Sequence, residues 1–145
     1  MIIHTEIEID APAEKVWEIL TDFASYPEWN PMIPRIRGEP QVGATVAFRI
    51  RVAKKISVPI DAEVVVVDGP HELRWVGPAR PWMRRVASGS HYYRLVDLGD
   101  GRTRLEHGEE FTGPIVPSHW ARGESVMAPA YASFNRAIKR RAEAD

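Results

Sequence analysis

Phe23-Ala24-Ser25-Tyr26-Pro27-Glu28-Trp29-Asn30-Pro31 sets three large aromatics and two prolines where a helical pattern has just stopped. A connector does not need that many rings to pack a core, so the segment either lids a cavity or wedges a helix against a sheet. Which of the two holds decides whether the fold is a container, and the flanking elements set the frame. Upstream, residues 2 to 9 put Ile3, Thr5, Ile7 and Ile9 on one face and His4, Glu6 and Glu8 on the other, the period of a half-buried strand. Asp10 reads as an N-cap and Pro12 as a first-turn residue, with Val16, Trp17, Ile19 and Leu20 forming the apolar stripe of a helix over about 12 to 21. The ring-rich segment then makes another turn or two of helix around Phe23 to Tyr26, limited by Pro27 and Pro31.

Downstream, residues 35 to 113 read as a succession of antiparallel strands with turn punctuation. Val46, Phe48, Ile50 and Val52 alternate with Thr45, Ala47, Arg49 and Arg51, which places the two arginines on a solvent face, as it does Asp61 and Glu63 in the next strand. Asp68-Gly69-Pro70 turns a long run from Ile56 into Glu72 to Val76, and a Pro-bounded connector carrying Trp82-Met83 separates that strand from Ser88 to Leu98. Gly99-Asp100-Gly101 is a hairpin signal leading to Arg102 through Phe111. From about Ser118 to Ala144, Trp120, Met127, Ala130, Tyr131, Phe134, Ala137 and Ile138 recur at helical spacing, and Pro129 is expected to kink or divide that helix. The sum is one strand, short helices, six more strands and a long closing helix. A curved sheet with one helix to cover it is expected to leave a cavity.

Composition narrows the function. The 145 residues carry a net charge of −1, which argues against nucleic-acid binding, and the basic Lys139-Arg140-Arg141 run sits where cations complement a helix C-terminus. With no cysteine there is neither a disulfide framework nor a thiolate, and a reducing, cytoplasmic location is expected. No signal peptide and no membrane span is read, and the length fits one domain over 1–145.

Parity along the strands selects the candidate chemistry. His91 shares a face with Gly89, Tyr93 and Leu95, and His107 and Glu109 share one with Leu105 and Phe111, so adjacent strands bring two histidines, a tyrosine and a carboxylate to one inner surface. Such a set can act as general acid and base or simply hydrogen-bond internally, and a bulge after Gly108 would turn Glu109 outward. The separation of the histidines matches no metal motif, and neither metal nor cofactor is expected.

Ile9-Asp10-Ala11-Pro12-Ala13-Glu14-Lys15-Val16-Trp17, Tyr26-Pro27-Glu28-Trp29-Asn30-Pro31, Glu72-Leu73-Arg74-Trp75 and Gly99-Asp100-Gly101-Arg102-Thr103-Arg104-Leu105, in this order of elements, resemble the START-like SRPBCC superfamily over essentially the whole chain. The resemblance implies an α+β helix-grip fold: a curved seven-stranded antiparallel sheet wrapped around a long C-terminal helix, with two short helices after the first strand. It implies a hydrophobic small-molecule ligand, such as a lipid, polyketide or isoprenoid-like compound, in a cavity between sheet and helix. Tyr26, Trp29, Phe48, Trp75, Tyr93, Trp120, Met127, Tyr131 and Phe134 would wall that cavity, with His91, His107 and Glu109 as polar anchors and His119 near one end. Trp82 and Met83 would gate its mouth. The alternatives are a polyketide cyclase or dehydratase, with His91 or His107 as base and Glu109 or Tyr93 assisting, and an interaction module of the chaperone-activator type with a small cavity. A monomer or homodimer suits each of these.

Overall fold

The structure, a computed structural model, describes residues 2–115 and 120–144, and for 120–126 the backbone alone. Strand β1 (Ile2–Ile9) leads into α1 (Ala13–Thr21), a turn of 3-10 helix at Phe23–Ser25 and the short α2 (Tyr26–Trp29). Six further strands follow: β2 (Ile36–Arg37), β3 (Thr45–Ala53), β4 (Ile56–Asp68), β5 (Glu72–Gly77), β6 (Ser88–Gly99) and β7 (Arg102–Thr112). The chain closes with α3 (Trp120–Glu143). The strands form one antiparallel, curved sheet in the order β1-β7-β6-β5-β4-β3-β2, and α3 packs against β1, β3 and β7 as well as α1 and α2. This is the helix-grip arrangement expected.

Each element follows from its pattern. In β3, Val46, Phe48 and Ile50 are buried while the residues between them are exposed. Val16 and Leu20 hold α1 on the core, and Trp17 lies flat on the turn after β4, where a Cβ at Gly69 would stand 2.5 Å from its Nε1. Burial of each such aliphatic side chain contributes about 1.5–3 kcal/mol. The β6–β7 hairpin closes through Gly99 (φ 80°), Asp100 (φ 56°) and Gly101 (φ 72°), the left-handed backbone that glycine accepts at no cost.

One local expectation needs correction, and two alternatives left open, division at Pro129 and a bulge after Gly108, do not occur. Asp10 does not cap α1: Pro12 occupies the cap position, and the Asp10 backbone N–H donates instead to Glu143 Oε2 at 2.8 Å, tying the first helix to the end of the last. Pro129 does not divide α3, which runs through it as a single helix. No bulge follows Gly108, since β7 keeps register with β6 from Arg102 to Thr112 apart from a shift near the hairpin between Asp97 and Gly99. Glu109 therefore points inward.

One asymmetry shapes the interior. Strand β4 has 13 residues and β5 only 6, and their pairing begins at Glu63, so among the described strands the first half of β4 pairs with β3 alone. The connector at Pro81–Arg85 stands where β5 would have continued. Asp61 Oδ1 accepts Ala79 N at 3.1 Å and Glu63 Oε1 accepts Arg84 Nη2 at 3.1 Å, fixing that connector to β4.

Candidate functional site

The register of three strands assembles the centre. His91 lies opposite both Trp75 on β5 and Glu109 on β7, and Tyr93 lies opposite His107. All five face the concave side. Tyr131, Phe134 and Asn135 reach down from α3 to meet them.

The polar atoms form one directed chain. Thr5 Oγ1 donates to the His107 carbonyl at 2.6 Å, so it accepts from Asn135 Nδ2 at 2.9 Å. That turns Asn135 Oδ1 to His107 Nδ1, also at 2.9 Å, and the Nδ1–H is the donor there. His107 Nε2 is left with a lone pair, which accepts His91 Nε2–H at 2.8 Å. His91 Nδ1 then faces Glu109 Oε1 at 3.0 Å, and Tyr131 donates its hydroxyl to the same oxygen at 2.8 Å. Two bare lone pairs at that distance would repel, so one proton lies between His91 and Glu109.

Environment reinforces these roles. Burial, and then the neighbouring His91, holds the His107 imidazole well below its ordinary range against the opposing hydrogen bond it donates to Asn135, so it is neutral. Burial, with Glu109 beside it, pushes the Tyr131 hydroxyl well up and keeps it a donor. Burial likewise raises Tyr93. His91 is stacked between Trp75 and Tyr131, whose rings lie 5.4 and 5.5 Å away, and His107 stacks on Tyr93 at 4.5 Å. The side chains therefore have one packed arrangement. Gly89, opposite Phe111, makes room for the carboxylate: a Cβ there would collide with Glu109 Oε2.

Glu109, His91 and Trp75 form the floor of a cavity of about 530 Å³. Phe48, Ile50, Ile60 and Ala62 from β3 and β4 give one wall, Phe111 another, and Trp82, Met83, Val86 and Ala87 of the connector form the rim. Trp82 is 65% exposed. The chain of hydrogen bonds ends blind at the His107 carbonyl, so the end that can exchange a proton with an occupant is the His91–Glu109 pair.

Of the residues selected from sequence, Phe48, Trp75, His91 and Glu109 border this cavity, as do Trp82 and Met83. Tyr93, His107, Tyr131 and Phe134 form the buried layer behind the floor. Met127 is half-buried against the core. Tyr26 and Trp29 lie elsewhere: Tyr26 is fully buried with its hydroxyl donating to the Leu20 carbonyl at 2.5 Å, and Trp29 packs between Tyr26 and Phe134. This is the wedge geometry: Trp29 of α2 meets Phe134 of α3, and Phe23 of the preceding turn meets Trp75 of the sheet. The side chains of His119 and Trp120 lie outside the described residues. Asn135 and Thr5 complete the network without having been selected. Asn135 follows Tyr131 by one helical turn and precedes Ile138 by another, so a polar residue on the buried stripe was the available signal.

A curved sheet with an apolar cavity and a proton-sharing pair on its floor defines a small-molecule-binding domain of the START-like type. Residues 2–143 match the model of the polyketide cyclase / dehydrase and lipid transport family, and the chain belongs to that family. Binding of a hydrophobic small molecule is accordingly its function. No curated protein matches it. Among solved structures it is similar to the Zhui aromatase/cyclase from a Streptomyces species, at 18% identity over 99% of this chain and 93% of that one, with a TM-score of 0.76. A START superfamily protein from Mycobacterium smegmatis aligns at 18% identity over 98% and 97%, TM-score 0.73. A norcoclaurine synthase from Thalictrum flavum aligns at 14% over 98% and 93%, TM-score 0.68. At these identities the likeness is one of fold.

Proposed function

We propose that the chain holds a lipid, polyketide or isoprenoid-like molecule in the cavity above Trp75, its apolar body against Phe48, Ile50 and Phe111 and one polar group on Glu109 and His91. The observation that carries this reading is the composition of the space: apolar walls over a floor whose hydrogen-bonding groups converge at one point. The neutral dye Nile red tests it. It is expected to bind the native chain and to lose at least tenfold in affinity, about 1.4 kcal/mol, when Ala87→Trp fills the rim. Equal binding by both proteins would sink the cavity as the site. In this reading the chain is one domain acting in the cytoplasm as a monomer or homodimer, needing neither metal, cofactor nor nucleic acid. An interaction module of the chaperone-activator type is less well supported, because it calls for a small cavity.

The shared proton favours a second reading, cyclisation or dehydration of a polyketide-like substrate. Glu109 and His91 border the cavity and would exchange protons with the substrate, while His107, Asn135 and Tyr131 act as positioning residues and Tyr93 stays behind the floor. Turnover of a polyketide thioester mimic is expected to fall about a hundredfold or more in Glu109→Gln. Undiminished turnover in that variant would remove the assignment.

A further inference from the structure

The convex face of the sheet is electrically divided. Toward β5, β6, β7 and β1 its cations are matched: Arg74 and Arg94 pair with Glu72 at 3.1 and 2.9 Å, and Arg104 pairs with Glu6 and Glu106 at 3.3 and 3.1 Å. At the opposite end Arg35, Arg37, Arg49, Arg51, Lys54 and Lys55 surround a groove of about 690 Å³ formed by β2, β3, β4 and the turn joining β3 to β4. All six are exposed. None forms an ion pair among the described residues, and no carboxylate is among the described residues of the groove. Arg49 Nε donates to Ser57 Oγ at 3.0 Å, and the nearby β4 acids Asp61 and Glu63 are engaged by the connector. A net charge of −1 conceals this imbalance. Cations held this close repel one another, and an anionic partner relieves that repulsion.

Exposed apolar side chains on the same hairpin say which partner. Val58 pairs with Ile50 and so stands on the side away from Arg49 and Arg51, whereas Ile56, paired with Ala53 beyond a register shift, borders the basic groove itself. Ile50 is buried, whereas Ile56 is 59% and Val58 43% exposed, because the hairpin extends past the core. An acidic protein or a nucleic acid would satisfy the charges and leave these apolar side chains in water. An anionic bilayer takes both, with phosphates at the cations and Ile56 and Val58 at the acyl boundary. We propose that the β3–β4 hairpin with its basic groove is a docking surface for an anionic lipid bilayer. Phe48, Pro59 and Ile60 border both the groove and the ligand cavity, so docking brings the cavity close to the membrane. The proposal rests on the surface and is independent of what the cavity holds.

Co-sedimentation of the full chain with phosphatidylcholine vesicles, with and without about one-third phosphatidylglycerol, tests this. Binding is expected to the anionic vesicles only and to weaken steeply with salt. Lys54→Glu with Lys55→Glu is expected to lower the partition coefficient at least about tenfold, and Ile56→Ser with Val58→Ser several-fold. Unchanged thermal midpoints, expected for exposed positions, show that both double variants are folded. Failure of the native chain to bind anionic vesicles at low salt overturns the proposal, as does equal binding to neutral vesicles. So does unimpaired binding by the serine variant, which would leave charge alone and point to an acidic protein or a nucleic acid.

Discussion

A methyl group at position 89 would occupy the space that Glu109 Oε2 now fills, so the smallest possible side-chain change reaches the centre of the site. Gly89→Ala is expected to push the carboxylate off His91, leave a buried donor unpaired and cost about 1–3 kcal/mol, read as a lower urea midpoint. In a Glu109→Ala background the same change should cost much less, because nothing remains to collide. Equal costs in both backgrounds would show that the glycine serves the backbone instead. The centre was partly legible at this scale. His91, Tyr93, His107 and Glu109 could be placed together because strand parity leaves a side chain only two directions, and pairing of neighbouring strands did the rest. Asn135 escaped because a helix stripe is recognised by its apolar members, and Thr5 because a hydroxyl on a strand face reads as filler until its partner on α3 is known.

The elements hold one another through contacts distant in sequence. Trp17 of α1 rests on the turn between β4 and β5, and Gly69 leaves no atom beneath the indole. Gly69→Ala is expected to lift α1 from the sheet and cost about 1–3 kcal/mol in a chemical denaturation series, with most of the loss recovered by Trp17→Leu. The aromatic segment after α1 shows the same dependence. Its helical turns could be read from its prolines, but whether Tyr26 and Trp29 face a cavity or a helix is decided by Phe134, more than a hundred positions later. Asp10 was misread for the same reason: local sequence offers a capping residue, whereas Glu143 claims its backbone N–H from the far end of the chain. Strand boundaries, by contrast, depend on alternation and turn residues, and they were found where expected.

For the whole molecule, the buried network sets a pH dependence. His107 is neutral in the folded chain and titrates near 6.5 when unfolded. Below that pH the unfolded state binds more protons than the folded one, so stability is complete above about 6.5 and declines as pH falls, by at most about 1.4 kcal/mol per unit for this group. The groups facing His107 are His91 and Tyr93 from β6, Tyr131 and Asn135 from α3, and Thr5 from β1. A His107→Gln variant is expected to be less stable at neutral pH and to show a flatter acid limb in urea titrations between about pH 6.5 and 5. A limb as steep as that of the native chain would assign the dependence to other residues.

The unequal lengths of β4 and β5 carry a consequence for what the cavity can admit. Where β5 stops, the first half of β4 is held along one edge by β3, and among the described residues its other edge is met by the tethered connector. Ile60 and Ala62 stand on that arm, while Phe48, Trp75, His91 and Glu109 are paired with a neighbouring strand on both edges. A wall secured on one side yields before a floor secured on two. If the cavity takes a guest as proposed, two tasks are expected to fall apart: the floor would fix its orientation through a polar group, and the arm would adjust to its girth. Under the proposed function, selectivity is expected to be strict for the placement of one oxygen or nitrogen and lenient for the shape of the hydrocarbon attached to it.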